Sequence, residues 1–219
     1  MRLLEVGSAP GGNLVLFQEC FGWEVWGIDY SETGHRKTLE NMALTGVPAH
    51  IVLGDVFTHV FPHNGFDIVF SAGFIEHFVD RAVVLKRMDD LTVPGGWVVA
   101  TWPNLLGLNG WIYRHCDPSS RIEHFAFPAS EVADVLARMG YEIMYAGPID
   151  GPGFRKPFGG RGRWGRHPVL RRILRAPVVL FNRASRRLNN WLGGLPESNL
   201  CSYNQAVFAR KKGVSESRA

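Results

Sequence analysis

The residues able to do chemistry sit in a loop of small residues, at three strand ends and on two histidines. The loop is Leu3-Leu4-Glu5-Val6-Gly7-Ser8-Ala9-Pro10-Gly11-Gly12. An apolar run ending in an acid and then a cluster of small residues predicts a buried parallel strand that turns sharply into a helix. Small residues let the backbone turn tightly there and come close to a ligand. The helix that follows, from Asn13 to Phe21 with Leu14, Phe17 and Phe21 on one face, aims its free N–H groups and positive dipole end at whatever lies over the turn. The chemistry implied is that of a nucleotide-cofactor site.

Asp29 closes the short hydrophobic stretch Glu24 to Ile28, and a carboxylate in that place can accept both hydroxyls of a ribose. Asp55 follows the run Ala49 to Leu53 and suits the exocyclic amine of adenine, with Val56 and Phe57 as apolar contacts to the ring. Gly7-x-Ala9-x-x-Gly12, with Asp29 at a distance of about 20 residues, is also a degenerate match to the dinucleotide fingerprint. The loop alone leaves the nucleotide open.

These side chains need a frame, and the chain supplies alternating strand and helix signals. Ser31 caps a helix running to about Thr45. Phe66 to Ser71 reads as a fourth strand, Asp80 to Leu91 as a helix, and Pro94-Gly95-Gly96 as the turn into a fifth strand from Trp97 to Trp102. A helix starting near Ser130, a strand Tyr141 to Ala146 and a last strand Asn204 to Arg210 complete the set. The alternation predicts an α/β fold with a doubly wound, mostly parallel seven-stranded sheet. Glu5, Gly7, Asp29, Asp55 and Ser71 all fall at carboxyl ends of strands, where such sheets bind ligands.

With these residues together, the chain resembles the class I S-adenosylmethionine (SAM) methyltransferases over roughly residues 1–148 and 200–212. It is most similar to the small-molecule branch that includes the ubiquinone-biosynthesis O-methyltransferases. The resemblance is carried by Glu5-x-Gly7-x-Ala9-x-Gly11, by Asp29, by Gly54-Asp55, and by Phe66-Asp67-Ile68-Val69 leading into Ile75-Glu76-His77-Phe78. Pro94-Gly95-Gly96 and His124-Phe125 ahead of a Ser-Glu helix also fit, while Ala9 stands where the family usually has glycine. The resemblance implies a Rossmann-like methyltransferase fold with SAM as cofactor. Gly7 to Gly11, including Ser8 and Ala9, would hold the methionine end, Asp29 the ribose and Asp55 the adenine. Glu5, Tyr30, Val56 and Ser71 complete the expected cofactor contacts.

A sulfonium methyl is already an activated electrophile, so no metal is expected. The implied reaction moves a methyl group to O, or to N or C, of a small-molecule or lipid-linked acceptor. A hydroxyl acceptor needs a base, which adds about 10²–10⁴-fold, and His77 and His124 are the candidates. An amine acceptor needs neither. Other readings are a non-catalytic SAM-binding module, an NAD-dependent oxidoreductase on the same loop, and an RNA methyltransferase using the basic segment described below.

Several rival subclasses lack their signatures. Ser71-Ala72-Gly73-Phe74 stands where adenine- and glutamine-N-methyltransferases carry Asn/Asp-Pro-Pro-Tyr. The fifth strand ends in Thr101-Trp102 without the lysine of ribose 2′-O-methyltransferases, and no cysteine follows a proline as in cytosine-C5 enzymes. Nucleic acid is therefore not the expected partner. The family also carries helices ahead of the first strand, whereas this sequence opens on it. Either the natural start lies upstream or the basic segment supplies the cover.

The net charge of +4 hides a strong asymmetry. Between Gly151 and Pro196 lie eleven basic residues and no acid: Arg155, Lys156, Arg161, Arg163, Arg166, Arg171, Arg172, Arg175, Arg183, Arg186 and Arg187. The remainder of the chain holds 13 basic and 20 acidic residues, so the basic character belongs to one segment. Residues 149–199 are read as a basic amphipathic insertion into the core of 1–148, with the last strand in 200–212 and a disordered tail at 213–219. Within it, Pro168 to Leu192 sets Leu170, Leu174, Pro177, Phe181, Leu188 and Trp191 roughly on one side, and Pro177 should kink or split the helix. Such a helix suits an anionic membrane surface, a lid whose arginines hold an acidic or phosphorylated substrate, or a solvated or dimer face. The Arg-rich stretch 155–166, interleaved with Gly, Phe and Trp, also allows nucleic acid.

Cys20, Cys116 and Cys201 lie far apart, which points to a reducing compartment and away from a disulfide framework or a zinc site. No signal-peptide pattern and no apolar run of about 18 residues is present. The expected location is the cytoplasm, with membrane association through 168–192 if that helix lies on a bilayer.

Overall fold

Strand and helix alternate from the first residues. In order they are β1 (Arg2–Val6), α1 (Gly12–Phe21), β2 (Glu24–Asp29), α2 (Glu32–Thr45), β3 (Ala49–Leu53) and β4 (Phe66–Ala72). A short 3₁₀ turn (Ile75–His77), α3 (Arg81–Leu91), β5 (Thr92–Pro103), α4 (Ala129–Arg138), β6 (Tyr141–Pro152), α5 (Pro168–Leu192) and β7 (Ser202–Lys211) follow. The computed structural model describes residues 1–61, 65–111, 124–153, 168–194 and 196–213, with backbone only at 168–175, 186 and 189. Arg155, Lys156, Arg161, Arg163, Arg166, Cys116 and the tail beyond Gly213 lie outside the described residues, as do the side chains of Leu170, Arg171, Arg172, Leu174, Arg175 and Arg186.

The seven strands form one sheet in the order β3-β2-β1-β4-β5-β7-β6. Six run in the same direction, and β7 alone is antiparallel, between β5 and β6. β1 explains the two-sided core. Leu4 and Val6 point into a cluster with Val84, Leu85 and Met88 of α3 and Val132 and Leu136 of α4. Leu3, one residue out of phase, packs with Leu14 of α1 and Met42 of α2 on the other face. Burial on both faces is why these strands read as continuous apolar runs rather than alternating ones. The strand order switches at β1, which lies between β2 and β4, and that point carries the site.

Three elements differ from the sequence reading. β6 extends past Ala146 to Pro152, because Gly147, Pro148 and Ile149 still pair with Ala206, Gln205 and Asn204 of β7. The pairing therefore carries four residues beyond 148 into the sheet. β5 begins at Thr92, paired with Phe66, and its register shifts before Trp97, which accommodates Pro94-Gly95-Gly96 inside the strand. Pro177 lies within α5 and does not split it.

The last strand is tied back to the other helical layer. Lys211 Nζ pairs with Asp89 Oδ1 at 2.8 Å and donates to the carbonyls of Asp89 and Thr92. The segment after β5 is pinned by two buried asparagines. Asn104 Nδ2 donates to the carbonyls of Asn199 and Ser202, and Asn109 Nδ2 to those of Gly153 and Ser202.

Candidate cofactor and active site

The turn after β1 starts at Gly7, with a φ of +74°. A side chain there is disfavoured twice, since L residues avoid that backbone region and a Cβ would meet the Phe74 ring at 3.0 Å. Two strand tips are then locked together. Asp29 Oδ2 accepts from the amide of Ala9 at 3.1 Å, and its Oδ1 accepts from the amide of Ser31 at 2.9 Å. A carboxylate has about four lone-pair positions, so acceptor capacity is left for a ribose. Ser31 caps α2 as expected, its hydroxyl accepting from the amide of Gly34 at 3.1 Å.

Asp55 closes on itself in a turn, its Oδ1 accepting from the amide of Phe57 at 3.0 Å. The amide of Gly54 donates to the carbonyl of Asp29, which sets the β2 and β3 tips side by side. Both aspartates, with Gly7, Ala9, Tyr30 and Val56, line one cavity of about 700 Å³. That volume suits a nucleotide-sized ligand. Phe57, Phe74 and Phe78 form an aromatic wall, with Phe78 5.0 Å from Phe74 and 5.6 Å from Phe57 between ring centres.

Four expected cofactor contacts stand behind the cavity wall instead of facing it: Glu5, Ser8, Gly11 and Ser71. Glu5 points to the α1 side, where its Oε1 accepts from Asn13 Nδ2 at 2.6 Å. It is only 2% exposed, and burial, with the nearby charge of Asp29 adding to it, pushes its carboxyl up to about 8 despite the Asn13 bond. Ser8 packs under the turn, so close to Gly27 that a Cβ on that glycine would lie 2.6 Å from Ser8 Oγ. Gly11 lets α1 approach Thr38 and Met42 of α2, and Ser71 is fully buried between β1 and β5. Glu5 Oε2, Ser8 Oγ and Ser71 Oγ are buried without a hydrogen-bond partner among the described residues, which costs about 1–3 kcal/mol each unless a ligand or water satisfies them.

His77 lines the cavity, and His124 lies beside it with ring centres 4.6 Å apart. The amide of Phe125 donates to the Glu76 carbonyl at 2.8 Å, which holds the distant strand of sequence in place. Glu76, His77 and His124 bring one carboxylate and two imidazoles within 4.8 Å of one another, a donor set that could take a divalent ion. The sequence reading expected no metal and did not foresee this grouping, because 47 residues separate the two histidines. Gly34 was also missed. A Cβ there would sit 2.9 Å from Ala9 Cβ and 3.1 Å from Asp29 Oδ1, so only glycine lets α2 close on the turn. A glycine in the first turn of a helix, about 1 kcal/mol worse than alanine, was the available signal.

Residues 4–100 match the family described as a methyltransferase domain. The match covers β1 through most of β5, the part of the sheet that carries the cavity. The chain is similar to 2-methyl-6-phytyl-1,4-hydroquinone methyltransferase of Synechocystis sp., with 32% identity over 46% of this chain and 31% of that one. Phosphoethanolamine N-methyltransferase 3 of Arabidopsis thaliana is 29% identical over 46% of this chain and 20% of its own length. The chain thus spans about a third or less of these relatives. The fold also matches Haemonchus contortus phosphoethanolamine N-methyltransferase 2 solved with SAM, at a TM-score of 0.65 and 18% identity over 97% of this chain and 49% of that one.

This cavity fits SAM. A flat glycine turn, a ribose-accepting carboxylate on one strand tip and a second carboxylate beside an aromatic wall on the next are the needed parts. Asp29 would hold the ribose hydroxyls, Asp55 with Val56 and Phe57 the adenine, and Gly7 and Ala9 the methionine end. SAM supplies a methyl group already activated by its sulfonium. The chain's own residues would bind and orient the cofactor, and His77 lines the same cavity.

Proposed function

We propose that this methyltransferase domain transfers a methyl group from SAM to a hydroxyl of a small, lipid-soluble acceptor, with His77 as general base. The observation that carries the reading is the convergence of Asp29, Asp55 and His77 on one cavity that Phe57, Phe74 and Phe78 also line. Alignment of acceptor and methyl group supplies roughly 7–11 kcal/mol of barrier reduction, and the base adds a smaller share. A hydroxyl is favoured over an amine because an imidazole at the methyl-acceptor edge has work to do only when a proton must leave. The relatives acting on a hydroquinone support an apolar phenolic acceptor.

Calorimetry with SAM and S-adenosylhomocysteine tests the cofactor half. Release of S-adenosylhomocysteine in the presence of prenylated quinols, against phosphoethanolamine as the amine control, tests the acceptor half. Turnover of phosphoethanolamine alone would overturn the hydroxyl assignment. Binding of NADH without binding of SAM would overturn the whole reading.

A further inference from the structure

Among its described side chains, α5 turns large apolar residues outward. Its contact with the sheet runs through a small polar residue: Ser185 is buried and its hydroxyl donates to the carbonyl of Pro152 at the end of β6. Leu180, Leu188, Trp191 and Leu192 instead lie in solvent, at 64%, 44%, 80% and 52% exposure. With Ala184 they recur every three or four residues, which makes a continuous stripe along a helix. A helix of a soluble domain ordinarily turns such a stripe inward. Arg183 and Arg187, one turn apart and exposed, flank it.

We infer that this face of α5 is a docking surface for an anionic lipid bilayer. Three observations single out that occupant. The stripe is apolar and carries a tryptophan, the side chain that favours the boundary between headgroup and hydrocarbon. The segment from Gly151 to Pro196 has eleven basic residues and no acid, while the rest of the chain is acidic, so the charge that attracts an anionic surface is concentrated in the stretch of sequence that contains α5. No helix of the described residues is long and apolar enough to cross a membrane, so the helix lies on the surface.

The placement in the fold fits this use. Pro152 and Gly153 anchor α5 through Ser185 and the segment after β5 through Asn109, whose amide donates to the Gly153 carbonyl. Leu200, whose carbonyl accepts from the Leu108 amide in the segment after β5, is also exposed, at 67%. This is the carboxyl-end edge of β5 and β6, the same edge on which the cofactor cavity opens between β1 and β4. Resting on the proposed function, docking here brings an acceptor dissolved in the bilayer to the rim of the cavity.

The test is sedimentation of the full chain with vesicles of phosphatidylcholine alone and of phosphatidylcholine with phosphatidylglycerol. Binding to the mixed vesicles should exceed that to the neutral ones at least tenfold and fall steeply with salt. Leu188→Glu with Trp191→Glu should abolish it, and Arg183→Glu with Arg187→Glu should erase the preference for the anionic lipid. SAM affinity, read by calorimetry, should be unchanged in both variants, which separates lost docking from lost folding and from failure of the cofactor reading. Equal sedimentation of wild type and L188E/W191E would overturn the proposal. So would a stable dimer of the wild type that L188E/W191E returns to monomer, or tight binding of single-stranded RNA with none to vesicles.

Discussion

Asp29 Oδ2 lies 3.1 Å from the amide nitrogen of Ala9, 20 residues away in sequence, and so fastens the tip of β2 to the turn after β1. One carboxylate thus shapes the glycine turn and faces the cavity at once. Replacing Asp29 with alanine should weaken SAM binding by about 1–3 kcal/mol, roughly 5- to 150-fold, through unpaired ribose hydroxyls and a loosened turn. Calorimetry of D29A reads this directly, and wild-type affinity would remove Asp29 from the cofactor site.

Gly34 reports on the same junction from the side of α2. Alanine is the better helix former by about 1 kcal/mol, yet its methyl would crowd Ala9 Cβ and Asp29 Oδ1. Overpacking of this kind costs about 1–3 kcal/mol. Gly34→Ala should therefore lower SAM affinity about tenfold while thermal stability changes little. A variant that gains stability and keeps its affinity would mean the junction has slack.

Glu5 makes a prediction about pH. Its carboxyl is held near 8 in the fold, against 4.5 ordinarily, chiefly by burial. A raised acid pKa means the folded chain holds a proton that the unfolded chain has released. The stabilisation is complete below about 4.5 and is lost as pH rises to about 8. Relative to Glu5→Gln, wild-type stability should decline by up to about 1.4 kcal/mol per pH unit across that window. Urea unfolding of both proteins from pH 5 to 8 measures the difference, and a flat difference would place Glu5 in contact with water.

His77→Ala should reduce kcat by about 10²–10⁴-fold and leave SAM affinity within a few-fold. His124→Ala should have the smaller effect, since His77 alone of the two lines the cavity. Turnover should survive EDTA. Activity lost to the chelator and restored by a divalent ion would reassign Glu76, His77 and His124 to metal binding.

The sequence alone carried the doubly wound sheet, the glycine turn and the two acids at strand tips. These depend on local rules: apolar runs buried on both faces, small residues where the backbone bends, and Ser31 as a helix cap. Leu3 and Leu4 are legible as core whichever face each takes. What it left undecided depends on which distant pieces come together. Only the folded sheet sets Asp29 against Ala9, brings His124 beside His77, and turns Glu5, Ser8 and Ser71 behind the wall by strand alternation. The amphipathic character of 168–192 was also plain from its spacing. That Leu180, Leu188, Trp191 and Leu192 face solvent while Ser185 meets the sheet was not, because periodicity fixes which residues share a face and tertiary contact fixes where that face points.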